Sequence, residues 1–204
     1  MAPYFETVKS FADVTVTDAG VDTLEFLQAA DGVVALFDVL GSTAFTAVQS
    51  DIKGNIAKVR ARYDAVPAQS ATLEQLVESE KGEKKRPATE GLMWLLRGLS
   101  FTCKALQNAQ ANTSEELSVA FSKSYDASLK KFHNFVVKGI FAVAMKACPY
   151  RADFYAKLAS DPAGGPPVPA DKLNEELSKW LAALDSIVKR VEAFYEKGGH
   201  NKGF

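Results

Sequence analysis

Three polar residues of different chemistry recur at one helical spacing: Asp51, Asn55 and Lys58, in the stretch Ser50-Asp51-Ile52-Lys53-Gly54-Asn55-Ile56-Ala57-Lys58-Val59-Arg60. At about 100° per residue, positions i, i+4 and i+7 fall within an arc of about 60°. A carboxylate accepts two O–H bonds, an amide donates and accepts, and an ammonium donates three, so the stripe matches the mixed donors and acceptors of a sugar. Val48, Ile52, Ile56, Val59 and Tyr63 fill the adjoining arc, which puts the stripe at the border of an apolar face, as the rim of a pocket requires. The competing reading is a solvated helix flank with an i, i+7 charge pair worth about 0–1 kcal/mol.

Two aromatic positions extend this chemistry. Glu90, Trp94, Arg97 and Phe101 cluster roughly opposite a stripe of Leu92, Leu95, Leu96, Leu99 and Leu106. Trp94 offers an indole plane to the apolar face of a sugar and an N–H to donate; a second helical layer packed on it is the alternative. His133 is the sole histidine outside the C-terminal tail and sits among Phe132, Phe135 and Val136. It fits either a satisfied core residue or a donor to the amide carbonyl of an amphiphile. No nucleophile elbow, P-loop, HExxH or glycine-rich dinucleotide turn occurs, so no catalytic residue, metal or cofactor is assigned and an enzyme is disfavoured. The runs Lys84-Lys85-Arg86 and Lys130-Lys131 read as solvated faces, with an anionic membrane surface as the minority partner.

The elements that must position these residues are helices. A chain of 204 residues with 47% hydrophobic content supports one sizeable core, so residues 1–204 are expected to form one domain. The net charge of −1 and pI near 6.2 give no reason to bind nucleic acid. Cys103 and Cys148 lie in apolar patterns without CxxC or metal-ligand spacing and read as reduced core residues of an intracellular protein. No leader pattern and no membrane-length apolar run occurs, so a soluble, cytoplasmic protein is expected.

In chain order, residues 1–20 read as a loose arm with one short helical turn within Tyr4 to Phe11, followed by a helix from Asp22 to Gly41. The helix carrying the polar stripe spans about Thr46 to Ala65; Pro67 prevents it from continuing far, and Thr72 with Gln75 forms a capping box for a short helix to Ser79. Pro87 opens a long helix to about Ala109. A further helix is expected from about Glu116 to Cys148-Pro149, central and buried on more than one side, because Phe121, Tyr125, Leu129, Phe132, Phe135, Val136, Ile140 and Val143 cover a wide arc of it. A short helix at Asp153 to Leu158, an exposed proline-rich loop at Asp161 to Pro169 and a last helix from Asp171 to Lys197 complete the chain. No convincing strand or repeat appears, and the fold class is all-α.

Four motifs occur in one order: Asp51-Ile52-Lys53-Gly54-Asn55-Ile56-Ala57-Lys58; Gly91-Leu92-Met93-Trp94-Leu95-Leu96-Arg97-Gly98-Leu99; Lys130-Lys131-Phe132-His133-Asn134-Phe135; and Ala147-Cys148-Pro149-Tyr150-Arg151-Ala152-Asp153-Phe154. Together they resemble fungal members of the glycolipid transfer protein family, over about Phe37 to Phe154. The resemblance implies a two-layer helical sandwich of about eight helices and a non-enzymatic carrier that moves glycosphingolipids between membranes, itself peripheral to them. On that resemblance Asp51, Asn55 and Lys58 match the family's sugar-amide headgroup residues. Trp94 matches its sugar-stacking tryptophan, and His133 the donor to the ceramide carbonyl. Leu36, Phe37, Phe132, Phe135, Val136, Val137, Ile140 and Phe141 are candidates for an apolar chain pocket, and Phe135 for membrane contact. Two departures stand out: Phe135 replaces a membrane-docking tryptophan of animal members, and Glu90 adds a carboxylate where they carry an apolar residue. The alternatives are a ceramide-1-phosphate carrier of the same fold, in which an arginine stands where Trp94 does, and a helical lipid sensor or interaction adaptor.

Overall fold

A carboxylate opens the first long helix and a glycine closes it. The Asp22 side chain accepts from the Glu25 N–H at 2.9 Å, and Gly41, at φ 71°, ends α2 (Thr23–Leu40) in the left-handed region where a Cβ would be penalised. The computed structural model describes residues 3–161 and 163–204; Met1, Ala2 and Pro162, which belong to the expected arm and proline-rich loop, lie outside the described residues. The helix bearing the polar stripe, α3, runs Thr46–Ala65, as expected. The capping box is present in full, with Gln75 N–H donating to Thr72 Oγ1 at 3.2 Å and Thr72 N–H to Gln75 Oε1 at 3.3 Å, and it opens α4 (Leu73–Ser79). Helix α5 covers Pro87–Ala111. Its first turn is held by the buried Glu80 carboxylate, which accepts from the backbone N–H groups of Ala88 (3.1 Å) and Thr89 (2.7 Å).

The arm is packed rather than loose. It holds α1 (Pro3–Thr7), a 3-10 turn at Phe11–Asp13 and a two-residue antiparallel ladder, β1 (Val16–Thr17) on β2 (Gly20–Val21). Phe11 is 1% exposed because its ring packs on Trp180 at 5.2 Å and on Phe26 at 6.2 Å.

The expected helix from Glu116 to Pro149 is two helices. Helix α6 (Leu117–Ala127) stops before a 3-10 turn at Lys130–Phe132, and α7 (Phe135–Lys146) starts afresh from Asn134, whose side chain accepts from the Val137 N–H at 3.0 Å. Nor is this segment buried on several sides: of α7 only Phe141, Ala144 and Met145 are buried, while Phe135, Val136 and Val143 are exposed by 90%, 68% and 63%. The central element is α5, which packs on α3, α6, α9 (Ala170–Gly198) and α4 and buries residues around most of its circumference. With α8 (Arg151–Ala159), nine α-helices are present among the described residues, and the fold is the all-α helical sandwich expected from sequence. None of these helices is long and apolar enough to cross a membrane.

Candidate functional site

Helices α3 and α5 cross closely because α5 presents glycines where they meet. A Cβ at Gly91 would lie 2.9 Å from Lys58 Cβ and 3.3 Å from the Asn55 carbonyl oxygen, and one at Gly98 would lie 3.6 Å from Ile52 Cγ1. The crossing sets the polar stripe of α3 beside Trp94. The third wall comes from the irregular segment between α6 and α7, which carries His133 in an extended conformation (φ −94°, ψ 138°) rather than on a helix.

These elements enclose a cavity of about 480 Å³. Its lining combines the polar or hydrogen-bonding side chains of Asp51, Asn55, Lys58, Glu90, Trp94 and His133 with the apolar ones of Ala47, Val48, Ile52, Val137, Ile140 and Phe141. All five expected headgroup residues therefore face one space. Of the expected chain-pocket residues, Phe132, Val137, Ile140 and Phe141 line it. Leu36 and Phe37 are instead packed in the core, 2% and 1% exposed, with the Phe37 ring 5.5 Å from that of Phe45. Phe135 and Val136, in the first turn of α7, are exposed rather than part of the cavity lining.

The stripe is internally linked by long contacts. Lys58 Nζ lies 3.4 Å from Asn55 Oδ1, and Asn55 Nδ2 lies 3.3 Å from Asp51 Oδ2. Both exceed the usual hydrogen-bond length, so the three groups keep capacity for a ligand. Asn55 is 3% exposed, which makes an unmatched amide there costly. Desolvation raises the Asp51 carboxyl above its ordinary pKa, with Lys58 pulling the other way.

The opposite wall is a group of rings. Trp94 lies parallel to His133 (centroids 6.3 Å apart, 17°) and edge-on to Phe132 (6.1 Å, 77°), while the Arg97 guanidinium sits 4.5 Å over Trp94 and 3.7 Å over Phe132. His133 also packs on Phe141 at 4.7 Å, and its Nδ1 is 3.1 Å from the Tyr125 hydroxyl. Burial lowers the His133 pKa, as does Lys138, so the ring is neutral at neutral pH.

Sequence reasoning placed Tyr125 on an apolar arc and missed its bond to His133, because the two are eight residues apart across a helix break. The signal within reach was Asn134, a helix-starting residue in the middle of an apolar run. Among the described residues no group of three or more His, Cys, Asp or Glu could hold a metal ion.

Comparison with known proteins identifies the family to which the chain is similar. Residues 21–160 match the family described as "Glycolipid transfer protein (GLTP)". A glycolipid transfer protein of Aureobasidium melanogenum is 47% identical over 192 residues, covering 94% of this chain and 92% of the relative. The crystal structure of HET-C2, a fungal glycolipid transfer protein, superposes with a TM-score of 0.87 at 45% identity, over 95% of this chain and 96% of that one. A structure of FAPP2, described as selecting simple glycosphingolipids through the GLTP fold, matches with a TM-score of 0.85 at 30% identity over 99% and 98% of the two chains.

Proposed function

Because this chain belongs to the glycolipid transfer protein family, we propose that it is a carrier that binds a glycosphingolipid and moves it between membranes without chemical conversion. The observation that carries the reading is the convergence of Asp51, Asn55, Lys58, Trp94 and His133 on one cavity that Val48, Ile52, Val137, Ile140 and Phe141 also line. In this reading the stripe on α3 bonds the sugar hydroxyls, and Trp94 offers its plane to the apolar sugar face. Asp51 accepts the ceramide amide N–H, and His133 donates to the amide carbonyl. The apolar wedge between α3 and α7 receives the first part of the chains, which is the favourable place for them because each CH₂ left in water costs about 0.8 kcal/mol.

The charge of the cavity favours a neutral sugar over a phosphate. Among the described lining residues Asp51 and Glu90 face the space with a single cation, Lys58, and on the family resemblance Trp94 stands where a phosphosphingolipid carrier places an arginine. Bringing a phosphate between two carboxylates is repulsive. Membrane contact falls to the outer face of α7, where Phe135, Val136, Ile140 and Val143 are exposed beside Lys138 and Lys146. Such a face suits transient docking of a cytoplasmic protein on a bilayer. Phe135 lacks an indole N–H and anchors at the interface less firmly than a tryptophan would.

The test is transfer of labelled galactosyl- or glucosylceramide between vesicles, with ceramide-1-phosphate and phosphatidylcholine as controls. Selective movement of the sugar lipid is expected, and Asp51→Val should abolish it with helical content unchanged. Preference for the phosphate would favour the phosphosphingolipid carrier, and no transfer with thermal stability indifferent to every lipid would favour the interaction adaptor.

A further inference from the structure

We propose that Tyr125 is a positioning residue for lipid recognition: its hydroxyl donates to His133 Nδ1 and thereby keeps the ring proton on Nε2, the atom left to face the lipid amide. The inference rests on the reading of His133 as the carbonyl donor.

The His133 ring is held by contacts of two kinds. Phe141 (4.7 Å, 50°) and Trp94 (6.3 Å, 17°) fix its plane, but a ring face does not distinguish one nitrogen from the other. The 3.1 Å contact to Tyr125 does, and it is the only hydrogen bond to the ring among the described residues. A neutral imidazole has one donor and one acceptor nitrogen, so the bond made by Nδ1 dictates what Nε2 can do. With Tyr125 donating, Nε2 carries the proton and can serve a carbonyl oxygen. With the roles reversed, Nε2 would present a lone pair to that oxygen, and the contact would be repulsive.

Tyr125 is built for this task. Its side chain is 5% exposed, its ring stacks on Phe141 at 4.8 Å and 13°, and Phe101 packs against it edge-on at 6.4 Å. Burial holds the phenol above its ordinary pKa and the imidazole below its own, so the pair meets as a protonated phenol and a neutral ring. Tyr125 does not line the cavity, so its effect on a ligand passes through His133.

Tyr125→Phe removes one oxygen and keeps the ring packing, and unchanged thermal stability of the variant confirms the fold. Long-range proton–nitrogen NMR of the His133 ring in the ligand-free protein is expected to show an unprotonated Nδ1 and a protonated Nε2 in the wild type, and averaged nitrogens in Tyr125→Phe. The variant should bind galactosylceramide about 3- to 10-fold more weakly, the range of one lost hydrogen bond. It should bind galactosylsphingosine, which has the same sugar but no amide carbonyl, as the wild type does. A wild-type His133 protonated on Nδ1, or an equal loss for both lipids, overturns the proposal. Failure of the wild type to bind either lipid would instead sink the carrier reading, while the ring spectra still judge the link between Tyr125 and His133.

Discussion

Replacing Gly91 with alanine puts one methyl group into the crossing that builds the site. That carbon would lie 2.9 Å from Lys58 Cβ, 3.1 Å from Lys58 Cδ and 3.3 Å from the Asn55 carbonyl oxygen. Favourable carbon contacts lie at about 3.5–4.0 Å, so α3 and α5 must part by roughly 0.5 Å. Two effects oppose one another. Glycine to alanine in a helix gains about 1 kcal/mol, whereas overpacking costs about 1–3 kcal/mol. The expected balance is a loss of about 0–2 kcal/mol, and for a chain of this size each kcal/mol lowers Tm by about 2–4 °C. Transfer should suffer more than stability, because the displaced residues are Asn55 and Lys58 and the fixed one is Trp94. Gly54, on the same α3 with nothing within 4 Å, is the matched control: Gly54→Ala should gain about 1 kcal/mol and raise Tm by about 2–4 °C. Thermal unfolding by circular dichroism and vesicle transfer of galactosylceramide, run on both variants, decide the matter. If Gly91→Ala were stabilised as much as Gly54→Ala and transferred lipid at the wild-type rate, the close crossing would not be what places the stripe.

Asp51→Asn should stabilise the ligand-free protein at pH 7 while lowering transfer. The folded pKa of Asp51 lies above its unfolded value, so its stabilising form is the protonated one below the unfolded pKa, and that contribution is lost as pH rises through the folded pKa. The Tm difference between variant and wild type should therefore close in acid, and a lower Tm for the variant at pH 7 would refute this. Phe135→Ser should leave Tm unchanged, since the ring is 90% exposed, but weaken vesicle binding about 10- to 100-fold if the ring loses roughly 1.5–3 kcal/mol of burial in the bilayer. Unaltered sedimentation with vesicles would remove Phe135 from the docking face. Cys103 and Cys148, both pushed by burial to about 12, should resist iodoacetamide at pH 8 in the native protein and react in guanidinium, and rapid native labelling of either would show that its burial is transient.

What was legible in the sequence is what single residues or one helix face encode. Asp22, Gly41, Pro87 and the Thr72–Gln75 box announced the ends of their helices, and the i, i+4, i+7 stripe on α3 needed no partner to be seen. The meeting of that stripe with Trp94 was not visible in either helix alone. It depends on Gly91 and Gly98 facing α3, and a glycine within a helix does not say whether it admits a neighbour or, like Gly54, meets nothing. Leu36 and Phe37 fit the pattern of a chain pocket equally well, since core and pocket demand the same residue types and only packing separates them.

The break between α6 and α7 is the feature on which both halves of the proposed function depend. In a continuous helix, Tyr125 and His133 would stand about 12 Å apart along the axis, eight residues at 1.5 Å each, far beyond a hydrogen bond. With the helix interrupted after Ala127 and restarted from Asn134, the two side chains meet at 3.1 Å and His133 turns toward Trp94. The same restart leaves Phe135, Val136, Ile140 and Val143 outside while Phe141, Ala144 and Met145 hold α7 to the core. An outer face of that kind is unfavourable in water and becomes favourable against a bilayer. Ile140 belongs to that outer face and also lines the cavity, as does the buried Phe141 next to it in sequence. In the carrier reading a lipid leaving the membrane therefore passes along one short helix, from the apolar face that docks to the polar group that identifies it.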